Sequence, residues 1–226
     1  MADLKRLQRN LGYEFKDESL LTQSLTHRSA GAKNNERLEF LGDAILGFEV
    51  AENLCRLHPN ASEGELSRAR AQLVKRETLA RVARRLELGE YLYLGTGELR
   101  SGGQTRDSIL SDAVEAIIAA VFMDDNMDSA RALVRRILKK EIQEISPQEQ
   151  PKDSKTQLQE YLQARGKSLP VYKVISVEGN AHEQEFQVEC KVNSLELTEL
   201  GKGSSRRKAE QQAAANVLQK IGVENL

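Results

Sequence analysis

The segment that follows Glu115 most constrains the fold, because it is apolar on every side of the helix that it predicts. From Ala116 to Met123 no residue carries a charge. A helix that is apolar all round lies inside a protein, so this helix, expected from about residue 108 to residue 123, should be central to a helical domain. Apolar residues recur at helical spacing on either side of it, and no convincing alternating strand precedes residue 145. The first two-thirds of the chain is therefore predicted to be all-α.

Local patterns place three further helices in this part of the chain. Four apolar residues recur at helical spacing and predict one of them: Leu38, Leu41, Ile45 and Phe48. Ser62-Glu63-Gly64-Glu65 has the S-x-x-E form of a capping box and predicts the start of another. A third helix should follow Asp128, with a single inner stripe made of five apolar residues: Leu133, Ile137, Leu138, Ile142 and Ile145.

The pattern changes after a segment with two prolines and no large apolar residue, residues 147–153. Such a segment is typical of a linker. Beyond it the sequence predicts a short helix, three strand-like runs (172–177, 185–192 and 196–200) and a closing helix over about 205–221. This order describes an α+β module with helices against a sheet. We therefore expect a helical domain at 1–146, a linker, and a second domain at 154–223.

Composition adds limits but does not indicate a function. The 226 residues carry a net charge of -1, so any basic binding site must be a local patch. No run of 18 apolar residues and no secretory signal is visible, so a cytoplasmic protein is expected. Cys55 and Cys190 are far apart and are interpreted as reduced thiols. The three histidines show no metal-binding spacing.

Three carboxylates share one face of the helix predicted around residue 40. Glu36, Glu39 and Asp43 are spaced i, i+3, i+7, which puts them within an arc of roughly 60°. The carboxylates repel one another at this spacing. A solvated acidic face and a cation-binding face both remain open on this stripe alone.

A second acidic pair, Asp112 and Glu115, opens the apolar helix and favours the cation-binding interpretation. These carboxylates would lie at the edge of a core, where an unpaired charge costs several kcal/mol. The small Ala116 and Ala119 beside them would let another helix approach. We therefore expect the two acidic faces to meet around a divalent cation, and oxygen-only ligands favour Mg²⁺, with Mn²⁺ as a substitute. Glu63 could add a further ligand.

Phe40 lies on the flank of the acidic helix rather than with its apolar residues. An aromatic side chain in this position is either covered by a loop or buried against a second subunit, and the sequence leaves both open.

A basic cluster precedes the last predicted helix. Four cations fall within seven residues and no acid separates them: Lys202, Arg206, Arg207 and Lys208. Ser205 should cap the helix, whose N-terminus offers free N–H groups to a phosphate. The cluster therefore predicts a phosphate-binding site, although a merely basic helix start would have the same composition.

These motifs resemble bacterial ribonuclease III. Asn35-Glu36-Arg37-Leu38-Glu39-Phe40-Leu41-Gly42-Asp43 is similar to the family's defining motif. The segments Leu25–Ser29, Glu63–Ser67 and Ser108–Ala116 are similar to its other blocks, in the same order. The second domain resembles a double-stranded RNA-binding domain. The resemblance spans nearly the whole chain.

The resemblance implies an endoribonuclease that cuts duplex RNA and processes ribosomal RNA precursors and other structured transcripts. Four carboxylates would be the catalytic and metal-binding residues: Glu39, Asp43, Asp112 and Glu115. Glu36 and Glu63 would assist. Metal-activated water would leave 5′-phosphate and 3′-hydroxyl ends, with no organic cofactor. The nuclease domain would form a symmetric homodimer with Phe40 at its interface, and its two centres would make a staggered cut.

The resemblance also assigns RNA contacts in the second domain. Gln159 and Glu160 on its first helix would face the minor groove, and His182 would lie in a loop that enters the next one. The basic cluster would hold phosphates between them, so that A-form shape is recognised rather than base sequence. The chain departs from the usual pattern in two places. A loop proline is missing near residues 180–181, and Glu210 stands where a lysine is usual.

Two other functions are compatible with parts of this pattern. A non-catalytic RNA-binding or ribosome-associated protein could use the same fold, but the chain keeps all six carboxylates that such a protein would be expected to lose. A phosphohydrolase acting on small substrates could use the acidic cluster, but it would not need the second domain.

Overall fold

The computed structural model describes residues 3–147, 154–179 and 184–223. The chain divides between residues 150 and 151 into two compact units, and each is described by itself. A search of the described helices for a bilayer-spanning segment finds none.

The first unit is built from helices joined by short loops and 3₁₀ turns. Its α-helices within the described residues are α1 (Leu4–Leu11), α2 (Glu18–Ser24), α3 (Glu36–Leu57), α4 (Glu63–Val74), α5 (Arg76–Arg85), α6 (Thr96–Arg100), α7 (Asp107–Asp124), α8 (Met127–Ile137) and α9 (Lys139–Glu144). The only β-type pairing in this part is an isolated bridge between Thr26 and Tyr93. The all-helical prediction is confirmed.

Helix α7 is the centre of this unit, as its apolar sequence predicts. Its residues from Ala116 to Val121 are at most 1% exposed. Helix α3 packs along it, and α2, α5 and α8 surround it. The Ser62 capping box is also confirmed: its hydroxyl accepts from the Glu65 N–H, and the Glu65 carboxylate accepts from the Ser62 N–H.

One expectation about this unit is wrong. The stripe after Asp128 belongs to two helices, α8 and α9, with a break at Leu138. The backbone oxygen of Ile137, next to the break, accepts a hydrogen bond from Arg85 on α5. The helix predicted from the four apolar residues that end with Phe48 is α3, in which Phe48 is 53% exposed.

The second unit has the predicted order of one helix, three strands and one helix. Its elements are α10 (Ser154–Gln163), β1 (Val171–Glu178), β2 (Glu185–Val192), β3 (Leu197–Gly203) and α11 (Arg206–Lys220). The sheet is antiparallel in the order β1-β2-β3. Its register runs from Val171 opposite Lys191 to Glu178 opposite Glu185, with an irregularity between Val174 and Ser176.

Both helices cover one face of this sheet and bury a small core between them. Leu158 and Leu162 of α10 and Val217 of α11 pack against Cys190 and Val192 of β2. Close packing requires a glycine in β3, because a Cβ on Gly201 would lie 2.2 Å from the backbone nitrogen of Ala213 in α11. This contact holds the start of α11, and with it the basic cluster, against the sheet.

Candidate active site and basic surface

Three carboxylates from two helices converge at one edge of the helical core of the first unit. Glu39 of α3 and Asp112 and Glu115 of α7 each offer an oxygen, and these oxygens lie within 4.8 Å of one another. All three side chains are half-buried. A hard divalent cation prefers such oxygen ligands. The expected meeting of the two acidic faces is therefore seen for these three residues.

Close packing of α3 on α7 brings the carboxylates together, and Gly42 makes it possible. A Cβ built on Gly42 would lie 1.8 Å from the backbone oxygen of Glu115. Any side chain at this position would push the helices apart. Close approach was predicted at Ala116 and Ala119, whereas Gly42 is the residue that allows it. The local signal for this contact is a glycine inside a helix. Glycine there costs about 1 kcal/mol of helix stability relative to alanine, so its presence indicates a packing constraint.

The electrostatics of the cluster favour a bound cation. The pKa of Glu115 is raised to about 8. Burial is the largest cause, and the charges of three carboxylates add to it: Asp43, Asp112 and Glu39. Burial also raises the pKa values of Glu39 and Asp112, and in Glu39 the charge of Asp112 contributes next. Burial and mutual repulsion both disfavour the charged forms, and a dication would relieve the repulsion.

The other predicted acidic residues lie outside this triad. Asp43 is exposed one turn beyond Glu39, close enough for its charge to raise the pKa of Glu115. Glu36 is exposed and pairs with Arg28, with 3.6 Å between Oε1 and Nη1. Glu63, at the start of α4, accepts a hydrogen bond of 2.6 Å from the Ser67 hydroxyl.

Cations that the sequence analysis did not assign lie beside the acidic cluster. The charges of Arg76, His27 and Arg28 lower the pKa of Asp112 against the larger effect of burial. The His27 ring nitrogen Nδ1 is 2.8 Å from the Ser29 hydroxyl, which also accepts from the Gly95 N–H. These side chains come from a loop and from α5, so their proximity was not visible in the spacing of the sequence.

Three of the four cations of the basic cluster lie at the exposed N-terminus of α11. The Ser205 side chain accepts from the Lys208 N–H at 3.3 Å, which confirms the predicted cap. Arg206, Arg207 and Lys208 are all exposed. Lys202, on β3, pairs with Glu185 at 3.0 Å.

An open cavity of about 710 Å³ lies beside this cluster, between α10, the start of β1 and α11. Gln159, Arg206 and Arg207 are among its lining residues. Glu160 is exposed on α10. His182 and the position of the missing loop proline lie outside the described residues.

Comparison with known proteins identifies the family of each domain. Residues 17–142 match the model of a ribonuclease-III-like family, and residues 154–221 match that of the double-stranded RNA binding motif. The chain is 55% identical over 220 residues to Ribonuclease 3 of Glaesserella parasuis, covering 97% of this chain and 99% of that protein. It is 55% identical over 221 residues to Ribonuclease 3 of Shewanella denitrificans, covering 98% of each. The chain belongs to the ribonuclease III family. It is an endoribonuclease specific for double-stranded RNA, and like its family it depends on a metal ion.

Solved structures of the family agree with the fold of the first unit. The nuclease domain of ribonuclease III from Campylobacter jejuni superposes with a TM-score of 0.62 at 41% identity, covering 65% of this chain and all of that one. A second structure of that domain, described as showing structural flexibility in the region involved in dimer formation, gives a TM-score of 0.60.

Phe40, within the family's defining motif, is one of the most exposed apolar side chains of the first unit. It is 82% exposed, and no loop among the described residues covers it. Phe48, two turns further along α3, and Met123, at the end of α7, are 53% and 56% exposed. Burial of Phe40 against a second subunit, the other interpretation that the sequence left open, stays a prediction.

Glu210, the residue in place of a usual lysine, is buried within the basic surface of this ribonuclease III chain. It is 8% exposed and accepts from both Lys155 and Arg206. Burial acts to raise the pKa of Glu210, but the hydrogen bonds and charges of these two cations together outweigh it and leave the pKa below its usual value.

Proposed function

We propose that Glu39, Asp112 and Glu115 hold the catalytic divalent cation and that Asp43 completes the set. The convergence of three half-buried carboxylates within 4.8 Å carries this proposal. When bound, Mg²⁺, or Mn²⁺ in its place, would supply an activated water and neutralise charge at the phosphodiester. Cleavage would leave 5′-phosphate and 3′-hydroxyl ends.

The chain's own residues orient this site in three ways. Gly42 keeps α3 against α7, so that the Glu39 carboxylate stays beside the other two. Burial of Glu115 excludes water from part of the ligand set, which strengthens its attraction for a cation. Glu36 and Glu63, which lie outside the triad, would assist at the edge of the site.

We infer that the nuclease domain works as a symmetric homodimer through the surface around Phe40. An exposed aromatic side chain with two more exposed apolar residues, Phe48 and Met123, supports this proposal. A two-fold axis would give two centres of opposite orientation, and therefore a staggered cut in the two strands.

The second domain would bind the duplex by its shape. Gln159 and Glu160 on α10 would approach one minor groove, and Arg206, Arg207 and Lys208 would bind phosphates across the adjacent groove. Lys202, Ser205 and His182 complete the proposed set. A cytoplasmic location and a role in ribosomal RNA processing belong to the same proposal. Cys55 and Cys190, both free thiols, are compatible with that compartment.

Cleavage of a duplex RNA with and without Mg²⁺ tests the site. Replacing Glu115→Gln keeps the shape of the side chain but removes a charged ligand, and cleavage should fall at least a hundredfold while duplex binding in EDTA is unchanged. Glu144→Gln is the matched control, because Glu144 is exposed on α9 and pairs with Lys140 at 3.9 Å. Full cleavage by the Glu115 variant would remove this residue from the site. Binding without any cleavage by the parent protein would support the non-catalytic alternative.

A further inference from the structure

Glu210 is a buried carboxylate in the middle of a surface that binds an RNA polyanion. Its side chain is 10% exposed, whereas Arg206, one turn earlier on α11, is 65% exposed. By Coulomb's law alone, a negative charge at this position repels the phosphates that the neighbouring cations attract. A contribution other than charge is therefore needed to explain a carboxylate here.

The carboxylate of Glu210 joins one cation from each helix of the domain. Oε2 lies 2.6 Å from Nζ of Lys155 on α10, and Oε1 lies 2.9 Å from Nε of Arg206 on α11. A second link runs parallel to these, because the Lys155 backbone N–H donates to the Gln211 side chain at 3.1 Å. The Lys155 ammonium also lies 4.6 Å from the centre of the Tyr172 ring on β1.

The contact with Arg206 leaves part of its guanidinium available. Glu210 binds Nε, and within residues 3–147, 154–179 and 184–223 no partner is recorded for the two terminal nitrogens of Arg206. A guanidinium fixed at Nε keeps its terminal nitrogens in one plane, as a pair that fits two oxygens of a phosphate. Lys155 and Arg206 both line the cavity of about 710 Å³ between α10 and α11.

We propose that Glu210 is a positioning residue for duplex RNA binding, which holds Lys155 and Arg206 in place beside this cavity before the RNA arrives. The inference rests on the proposed RNA-binding role of this surface and adds Lys155 to it. Lysine and arginine side chains lose rotamer freedom when they bind a ligand, and prior ordering removes that cost. One carboxylate between two cations leaves the group with a net positive charge, so attraction for phosphate is retained.

Positioning and simple charge predict opposite results when Glu210 is neutralised. If Glu210 acted only through its charge, Glu210→Gln would strengthen RNA binding. If it orders two cations, Glu210→Gln should weaken duplex binding by about threefold to tenfold, the effect of freeing one or two long side chains. The variant would bind more weakly although it carries one more net positive charge.

The experiment measures duplex binding by the full chain in EDTA, where cleavage is absent, over a range of salt concentrations. Glu185→Gln is the matched control, since this carboxylate also pairs with a cation of the basic surface, Lys202, but is 54% exposed. The control should bind as tightly as the parent or more tightly. Equal or tighter binding by a folded Glu210→Gln variant would overturn the inference.

Arg206→Lys provides a second variant that does not depend on a buried position. It keeps the charge but loses the planar group that Glu210 orients, so it should weaken binding by a similar factor. Combined with Glu210→Gln, the two losses should be less than additive, because both remove the same contact. If the Glu210 variant does not fold, parent-like binding by Arg206→Lys overturns the inference by itself.

A third variant separates this inference from the function on which it rests. Replacing both Arg206 and Arg207 by alanine should lower the salt dependence of binding by about one unit of slope per lost phosphate contact. An unchanged slope would show that the surface does not bind RNA. A lower slope, together with parent-like binding by the Glu210→Gln and Arg206→Lys variants, would overturn the positioning role alone.

Discussion

At the scale of single residues, the acidic triad is a destabilising arrangement that becomes useful when a cation binds. Glu115 has the largest shift, with a pKa near 8 against an ordinary value of 4.5. A carboxyl group whose pKa is raised by folding contributes stability while it is protonated in the folded state and loses that contribution as the pH rises through the raised pKa. The free energy of unfolding of the metal-free protein should therefore decrease as the pH rises between these two pKa values.

We expect the metal-free protein to lose stability relative to Glu115→Gln as the pH rises from about 4.5 to about 8. Glutamine cannot ionise, so the stability of the variant lacks this dependence on pH. Thermal unfolding of both proteins in EDTA from pH 4.5 to pH 8 measures the effect. The unfolding midpoint of the variant should rise relative to that of the parent as the pH increases. Saturating Mg²⁺ should reverse the trend, because only the parent has the full ligand set. A difference that stays constant with pH would exclude a raised pKa at Glu115.

At the scale of elements, the site depends on how closely α3 approaches α7. Helices α3, α4 and α7 could be predicted from the sequence, because apolar spacing and the Ser62 capping box are local signals. The break between α8 and α9 could not, because Arg85, some fifty residues earlier, binds the Ile137 oxygen. The contact of Glu210 with Lys155 was hidden for the same reason, because Lys155 lies 55 residues away in sequence. Gly42 carries a local signal, but its contact with Glu115 required the packed structure.

We expect Gly42→Ala to destabilise the nuclease domain by about 1–3 kcal/mol, the usual cost of overpacking a core. An ordinary glycine-to-alanine change inside a helix has the opposite effect, because it stabilises the helix by about 1 kcal/mol. Gly97→Ala on α6 is the matched control, because a Cβ there meets nothing within 4 Å. Urea unfolding of both variants gives the free energies. Cleavage by the folded Gly42 variant should also fall, since Glu39 moves away from Glu115. Stabilisation by Gly42→Ala would contradict the close approach.

At the scale of the whole molecule, the exposure of Phe40 supports the proposed homodimer. Phe40 is 82% exposed and lies next to Glu39, a residue of the triad. A large aromatic side chain left in water so close to a catalytic site loses the free energy that burial would provide. Residue identity alone left its environment open, because a loop and a second subunit would bury it equally well. Within the part of the chain that the structure describes, no loop covers it.

We expect Phe40→Ala to weaken the homodimer by about 2 kcal/mol or more, as truncating a central aromatic residue of an interface commonly does. The symmetric interface contains the residue twice, so dissociation should begin at clearly higher protein concentrations than in the parent. Sedimentation velocity over a dilution series measures this shift independently of catalysis, which matters because Phe40 borders the acidic site. Leu99→Ala is the control, since Leu99 is 52% exposed on α6. A parent protein that sediments as a monomer at all concentrations would exclude the homodimer. An unchanged dissociation midpoint in the Phe40 variant would exclude Phe40 from the interface.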